Sequence, residues 1–247
     1  MSGICLNPTP TELGNLSCAA DRLWQLDSNR LVYGRDYELE LQTFRRRDDG
    51  DVALKPLFKR VETSVFDRPT FKTFISLLDN YSSLTGEAEV VTAEEINEYP
   101  AFLNAALATD PIKYLGNYLT EKKVIPDTGS LQRLLFDLWF GMYKRDGHVR
   151  GADSSAFEHI FVGEISPAYK SRENVVKGLH NWIQIFHQER AGKLNYRGCR
   201  RPRTSDADGR RLRLEEEQVR PSLLVSSPPL LLACCTPPPI ADGPIAP

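Results

Sequence analysis

Four histidines occur in the 247 residues, at positions 148, 159, 180 and 187. Imidazole is the side chain whose unperturbed proton exchange falls near neutral pH, so each marks a place where acid–base chemistry could occur. His148 follows Asp146-Gly147 in a loop-like stretch and reads as ordinary surface. His187 lies beside Gln188 and Glu189 on a helical pattern and is expected to be solvated or lightly packed. His159 sits in Phe157-Glu158-His159-Ile160-Phe161-Val162-Gly163-Glu164, a run whose composition predicts a strand. Alternation would put His159 and Phe161 on one face and Glu158 and Ile160 on the other. Glu164 is an odd number of steps from His159, so the two can cooperate only if the chain bends at Gly163. His180, in Gly178-Leu179-His180-Asn181-Trp182, falls at or just before a helix start. A cation is disfavoured there, which suits a neutral, proton-accepting imidazole. Residue types alone favour a structural role for His159 and divide His180 evenly between general base and helix cap. They also leave open a metal-binding structural site built from His159, Glu164 and His180.

The elements that must hold these groups are mostly helical up to about residue 145. From Thr11, the positions Leu13, Leu16, Ala20, Leu23 and Trp24 form one stripe of a helix running to about Asp27. Asp67-Arg68-Pro69 opens a second helix, with Phe71, Phe74, Ile75, Leu78 and Tyr81 on its buried face and Gly86 beyond its end. Thr92-Ala93-Glu94-Glu95 is a capping-box pattern leading into a third helix through Ile96. Asp110-Pro111 starts another carrying Ile112, Leu115 and Leu119, and Ser130 is placed to cap a helix with Leu131, Leu134, Leu135, Leu138, Trp139 and Met142. After the predicted strand, Trp182, Ile185, Phe186 and Glu189 follow helical spacing until Gly192.

Composition narrows the partners. The chain is 41% hydrophobic and 26% charged, with 31 Lys and Arg against 33 Asp and Glu, enough apolar material for one full domain, or for one domain plus a tail. No global positive field of the non-specific nucleic-acid-binding kind exists, so any RNA contact must be local. The first twenty residues have neither the basic start nor the apolar core of a secretory signal, no run approaches the length needed to span a bilayer, and the compartment stays unassigned. Five cysteines without regular spacing suggest neither a disulfide framework nor a zinc knuckle. Two Asn-x-Ser sequons, at Asn15 and Asn80, are short enough to arise by chance. Nine of the 17 prolines and no aromatic residue lie after Gly198. A tail of that composition buries too little apolar surface to offset its chain entropy and is expected to be disordered.

Taken together, Ser155–Glu164 and Gly178-Leu179-His180-Asn181-Trp182-Ile183-Gln184 resemble the paired histidine motifs of the EndoU (XendoU-like) endoribonucleases. Supporting blocks are Leu26-Asp27-Ser28-Asn29-Arg30-Leu31, Leu57-Phe58 and Phe136-Asp137-Leu138-Trp139-Phe140. The resemblance runs from about residue 11 to Tyr196-Arg197-Gly198. It implies an α+β fold with residues 1–10 as an extension, a helical amino-terminal lobe over 11–146, and an incomplete β-containing lobe over 147–198. Residues 199–247 would then be the disordered tail.

The resemblance further implies a monomer that cuts single-stranded, uridine-containing RNA on the 3′ side of uridylates with Mn2+ (manganese), away from any membrane. The products would be a 2′,3′-cyclic phosphate and a 5′-hydroxyl. His180 would be the base for the 2′-hydroxyl and His159 the acid for the departing 5′-oxygen, giving a bell-shaped pH profile. Glu158 and Glu164 match acidic positions linked to metal dependence or to orienting the histidines, and hard carboxylate oxygens suit manganese. The family's third catalytic group, a lysine beyond the second histidine, has no counterpart, because no lysine follows Lys193. The residues that read uracil are missing as well. A uridylate-specific endoribonuclease of impaired rate is therefore expected, with a non-catalytic RNA- or partner-binding fragment of the same fold as the alternative.

Overall fold

The computed structural model describes residues 4–45, 50–82, 92–144, 152–166 and 175–200. His148 and the tail from residue 201 onward lie outside them. The fold is α+β and helix-rich, with three small two-stranded sheets among the described residues.

The helix predicted from Thr11 to Asp27 is two helices, α1 (Pro10–Gly14) and α2 (Leu16–Leu26). Asn15 leaves helical geometry between them, and its side-chain oxygen accepts from Ser17 N, so it caps α2. Leu16, placed on the apolar stripe by periodicity, is consequently exposed at the new helix start. Strand β1 (Tyr37–Leu39) pairs antiparallel with β3 (Phe58–Val61), and between them β2 is Phe44–Arg45. Helix α3 (Pro69–Ser76) begins at the predicted proline. Helix α4 (Ala93–Leu107) continues well past Ile96, with Pro100 inside it, and α5 (Asp110–Glu121) again starts on a proline turn. Before α6 (Leu131–Phe140), Ser130 does not cap through its side chain; Asp127 Oδ1 instead accepts from Ser130 N at 2.9 Å and Ser130 Oγ at 3.1 Å. Leu138, counted on the buried face, is exposed.

The larger departure is at residues 157–164. Glu158–Val162 is a π-helical turn, closed by Gly163 N donating to Glu158 O at 2.9 Å, and only then does β4 (Glu164–Ser166) begin. Strand β4 pairs antiparallel with β5 (Val175–Lys177), and α7 (Trp182–Arg190) follows. Cys199 and Arg200, the first two residues of the predicted tail, form β6 and pair parallel with β2.

One aromatic core joins these parts. Phe157, fully buried, packs against Phe74, Phe102 and Phe140 at ring separations of 5.5, 5.7 and 5.0 Å. Trp182 packs against Phe58, Phe66 and Phe71 at 6.4, 5.8 and 6.0 Å. Offset and edge-to-face pairs of this kind add to the area they bury. The first histidine segment is thereby anchored by Phe157 and the second by Trp182, both on the helical part of the chain. A smaller core of Ala19, Leu23, Leu26, Tyr114 and Tyr118 holds α2 on α5. The Leu26-to-Leu31 block is fastened to the start of α3: Asn29 Nδ2 donates to Thr70 Oγ1 at 2.9 Å, and Arg68 donates to Asn29 O at 2.7 Å. Among the described residues no helix is long and apolar enough to cross a membrane.

Candidate active site

Ser155 and Glu158 set the geometry of the first histidine. Glu158 N donates to Ser155 Oγ at 3.1 Å and Ser155 N donates to Glu158 Oε2 at 3.2 Å. This is a reciprocal capping box, which satisfies two amide groups at a buried helix start. Phe157 and Phe161, four residues apart, both enter the core. Local capping and that burial override the strand propensity of the run. Glu158 is therefore 1% exposed, with its carboxylate turned toward the helix start and close enough for its charge to act on the Tyr81 phenol. Burial is the main cause that pushes the Tyr81 hydroxyl far above the ordinary range for tyrosine.

Glu164 is also 1% exposed, but it turns the other way. Its Oε2 lies 3.4 Å from His159 Nδ1 and its Oε1 accepts from Ser154 Oγ at 2.7 Å. The bend that the sequence requires is present: Gly163 adopts φ +84°, and a Cβ there would come within 2.8 Å of Leu179 Cβ. His159 ends on a partly exposed face with one nitrogen 3.4 Å from a buried carboxylate, an arrangement that fixes the ring.

The second histidine is brought to the first by backbone. His180 N donates to Ile160 O at 2.7 Å. Gly178 (φ +69°) lies so close to His159 that a Cβ would fall 1.5 Å from its carbonyl oxygen and 3.4 Å from its Nδ1. Only glycine fits both that conformation and that approach. His180 itself is exposed and precedes the cap of α7. The cap is Asn181, whose Oδ1 accepts from Ile183 N at 2.9 Å and Gln184 N at 3.2 Å. The capping reading of position 180 thus passes to its neighbour, leaving the His180 imidazole outside the helix.

His187 is elsewhere. Its ring lies 5.6 Å from Phe66, half-buried, with Nε2 enclosed and unpartnered among the described residues, and burial holds its pKa below the ordinary value. Helix α7 is also tied to β3 by Glu189, whose two carboxylate oxygens accept from Leu57 N at 2.7 Å and Phe58 N at 3.1 Å. The Leu57-Phe58 block of the sequence serves this attachment. Residue types alone passed over Ser154, Ser155, Gly178 and Asn181. The Ser-x-x-Glu spacing at 155–158 and the Asn before Trp182 were the available signals for two of them.

Comparison with known proteins identifies the family. The family model described as Endoribonuclease XendoU matches residues 15–221, past the end near Gly198 that the motifs suggest. The chain is 43% identical over 189 residues to Uridylate-specific endoribonuclease B of Danio rerio, covering 74% of this chain and 65% of that protein. It is 41% identical over 191 residues to Poly(U)-specific endoribonuclease of Xenopus tropicalis, covering 74% of this chain and 63% of that protein. The solved structure of XendoU, described as a splicing-independent snoRNA-processing endoribonuclease, superposes with a TM-score of 0.64 at 39% identity. That match covers 77% of this chain and 67% of that one. The chain therefore spans about two-thirds of the length of the relatives it matches. On the strength of the family match, the protein belongs to the XendoU endoribonucleases.

Proposed function

We propose that this chain is a uridylate-specific endoribonuclease acting on single-stranded RNA as a monomer, with His159 and His180 as its proton-transfer pair. The observation that carries the reading is the seam between the two histidine segments: His180 N on Ile160 O at 2.7 Å, beside Gly178 seated on the His159 carbonyl. In the proposed reaction His180 removes the proton of the 2′-hydroxyl, the 2′-oxygen attacks phosphorus, and the bond from phosphorus to the 5′-oxygen breaks. His159 gives that oxygen its proton, leaving a 2′,3′-cyclic phosphate and a 5′-hydroxyl. The buried Glu164 carboxylate 3.4 Å from His159 supports the assignment of His159 as the acid, because it holds the ring through Nδ1 and complements the charge of an imidazolium. Each placed proton transfer is worth roughly 10² to 10⁴ in rate.

Manganese, implied by the family motifs, would need a cluster of hard donor side chains. Among the described residues no group of three or more His, Cys, Asp or Glu side chains is arranged to hold a metal ion. Glu158 is engaged in its cap, and both oxygens of Glu164 are engaged, by Ser154 and His159. Among the described residues these side chains do not fit a protein-held manganese ion, and the proposed proton transfers use the imidazoles alone. Without a lysine after Lys193, the charge growing on the phosphate would lack the donor that the resemblance places beyond the second histidine. Loss of one oriented donor of that kind costs on the order of 10² to 10³ in rate.

Incubating the purified chain with a uridine-containing oligonucleotide, with manganese and with chelator, tests the proposal. Cyclic-phosphate ends should appear slowly and vanish in His159→Ala and in His180→Ala. The same assay decides the alternative, a non-catalytic RNA- or partner-binding fragment of the same fold. That alternative predicts bound RNA that stays intact at every enzyme concentration.

A further inference from the structure

The His159–Glu164 pair does not end at Glu164. Ser154 is fully buried, and its hydroxyl donates to Glu164 Oε1 at 2.7 Å. Ser154 Oγ in turn lies 3.3 Å from the Tyr143 hydroxyl. The backbones of these two residues are locked as well: Tyr143 N donates to Ser154 O at 2.9 Å, and Asp153 N and Ser154 N donate to Tyr143 O at 3.1 and 3.3 Å. Tyr143 is 42% exposed, so the chain of groups runs from the surface through two buried ones to the partly exposed imidazole.

We infer that Ser154 is a positioning residue for the acid of the reaction, with Tyr143 supporting it, through the sequence Tyr143–Ser154–Glu164–His159. A hydroxyl has one proton and two lone pairs. If the Tyr143 phenol donates to Ser154 Oγ, the serine proton is directed at Glu164 Oε1. That bond fixes the rotation of the carboxylate, so Oε2 faces His159 Nδ1. Neutral His159 is then held with its proton on Nδ1 and the lone pair of the ring on Nε2. In the imidazolium form Nε2 carries the proton that goes to the 5′-oxygen as the phosphorus–oxygen bond breaks. The ring is left neutral with Nδ1–H still on Glu164, so no tautomer change is needed between turnovers. A carboxylate oriented by a second hydrogen bond does this better than a free one, because each hydroxyl of the chain has a single proton to direct at its acceptor.

This inference rests on the ribonuclease reading only for its kinetic consequence, and its test separates the two. The full chain, labelled with 15N in its four histidine rings, is examined by NMR at a pH where the rings are neutral. His159→Gln identifies the His159 signals. The intact protein should show His159 as the Nδ1–H tautomer. Ser154→Ala should convert it to a mixture or to Nε2–H, and Ser154→Thr, which keeps the hydroxyl, should restore it. Should Ser154→Ala fail to fold, Tyr143→Phe decides, because it removes only the outer oxygen from an exposed side chain: a shift in the same direction supports the chain of bonds. An unchanged His159 tautomer in a folded Ser154→Ala, or in Tyr143→Phe when that is the deciding variant, overturns it. Where cleavage is measurable, Ser154→Ala should lower kcat by roughly 10-fold to 100-fold, the range for loss of a partner that orients a histidine, with KM unchanged. A chain that never cleaves defeats the ribonuclease reading and leaves the tautomer result standing.

Discussion

At the scale of single residues, two glutamates of equal burial do different work, and their hydrogen bonds say which. Glu158 closes a capping box on Ser155, whereas Glu164 stands between Ser154 and His159. Glutamine can replace glutamate in a capping box, and alanine cannot. Glu158→Gln should therefore keep its melting temperature, and Glu158→Ala should lose about 1 kcal/mol or more of stability in urea titration. Neither should alter the response of cleavage to manganese. A manganese requirement that shifts in Glu158→Gln would return this carboxylate to the role of ligand. Glu164→Gln should behave oppositely: it removes the anion beside His159, so the rate should fall by about 10² while RNA binding persists, as for loss of one oriented electrostatic partner.

At the scale of elements, α7 carries the second histidine motif and a testable pH effect. His187 packs on Phe66 with its pKa held below the ordinary value of 6.5 by burial. Above that value the ring is neutral in both folded and unfolded chains, and its full contribution to stability is present. As pH falls below 6.5 the unfolded chain takes up the proton first, so stability declines until the folded ring is protonated too. The acid side of a melting-temperature profile should thus be shallower in His187→Leu than in the unaltered protein; identical profiles would show that His187 is not the group concerned. The same elements show what the sequence made legible. Prolines at Pro69 and Pro111 announced α3 and α5, because a fixed φ and a missing amide proton suit a first turn. The run at 157–164 misled, since Phe, Ile and Val favour strands, although Ser155-x-x-Glu158 and the four-residue spacing of Phe157 and Phe161 both argued for a helical turn. The seam between residues 159–160 and 178–180 was not legible, because it is made by a backbone carbonyl, an amide and a glycine lacking a side chain.

At the scale of the whole molecule, the aromatic core and the charge balance each make a demand. The boundary near residue 146 that the motifs suggest is crossed by one continuous core, in which Phe157, Phe161, Trp182 and Phe186 pack with Phe58, Phe71, Phe74 and Phe102. Near- and far-ultraviolet circular dichroism should therefore lose signal at one shared midpoint on heating, and two separated midpoints would mean that the segments fold apart. A net charge of −2 supplies no extended field for RNA, so under the proposed function an RNA would be held by a short local contact. For single-stranded RNA the slope of log K against log salt is about −0.7 per phosphate neutralised. A contact confined to the scissile phosphate and its neighbours therefore predicts a slope of roughly −1 to −2, measured with the same oligonucleotide from low to physiological salt. A slope several times steeper would require a basic track along the RNA, which this chain's balance of 31 basic and 33 acidic residues makes hard to assemble.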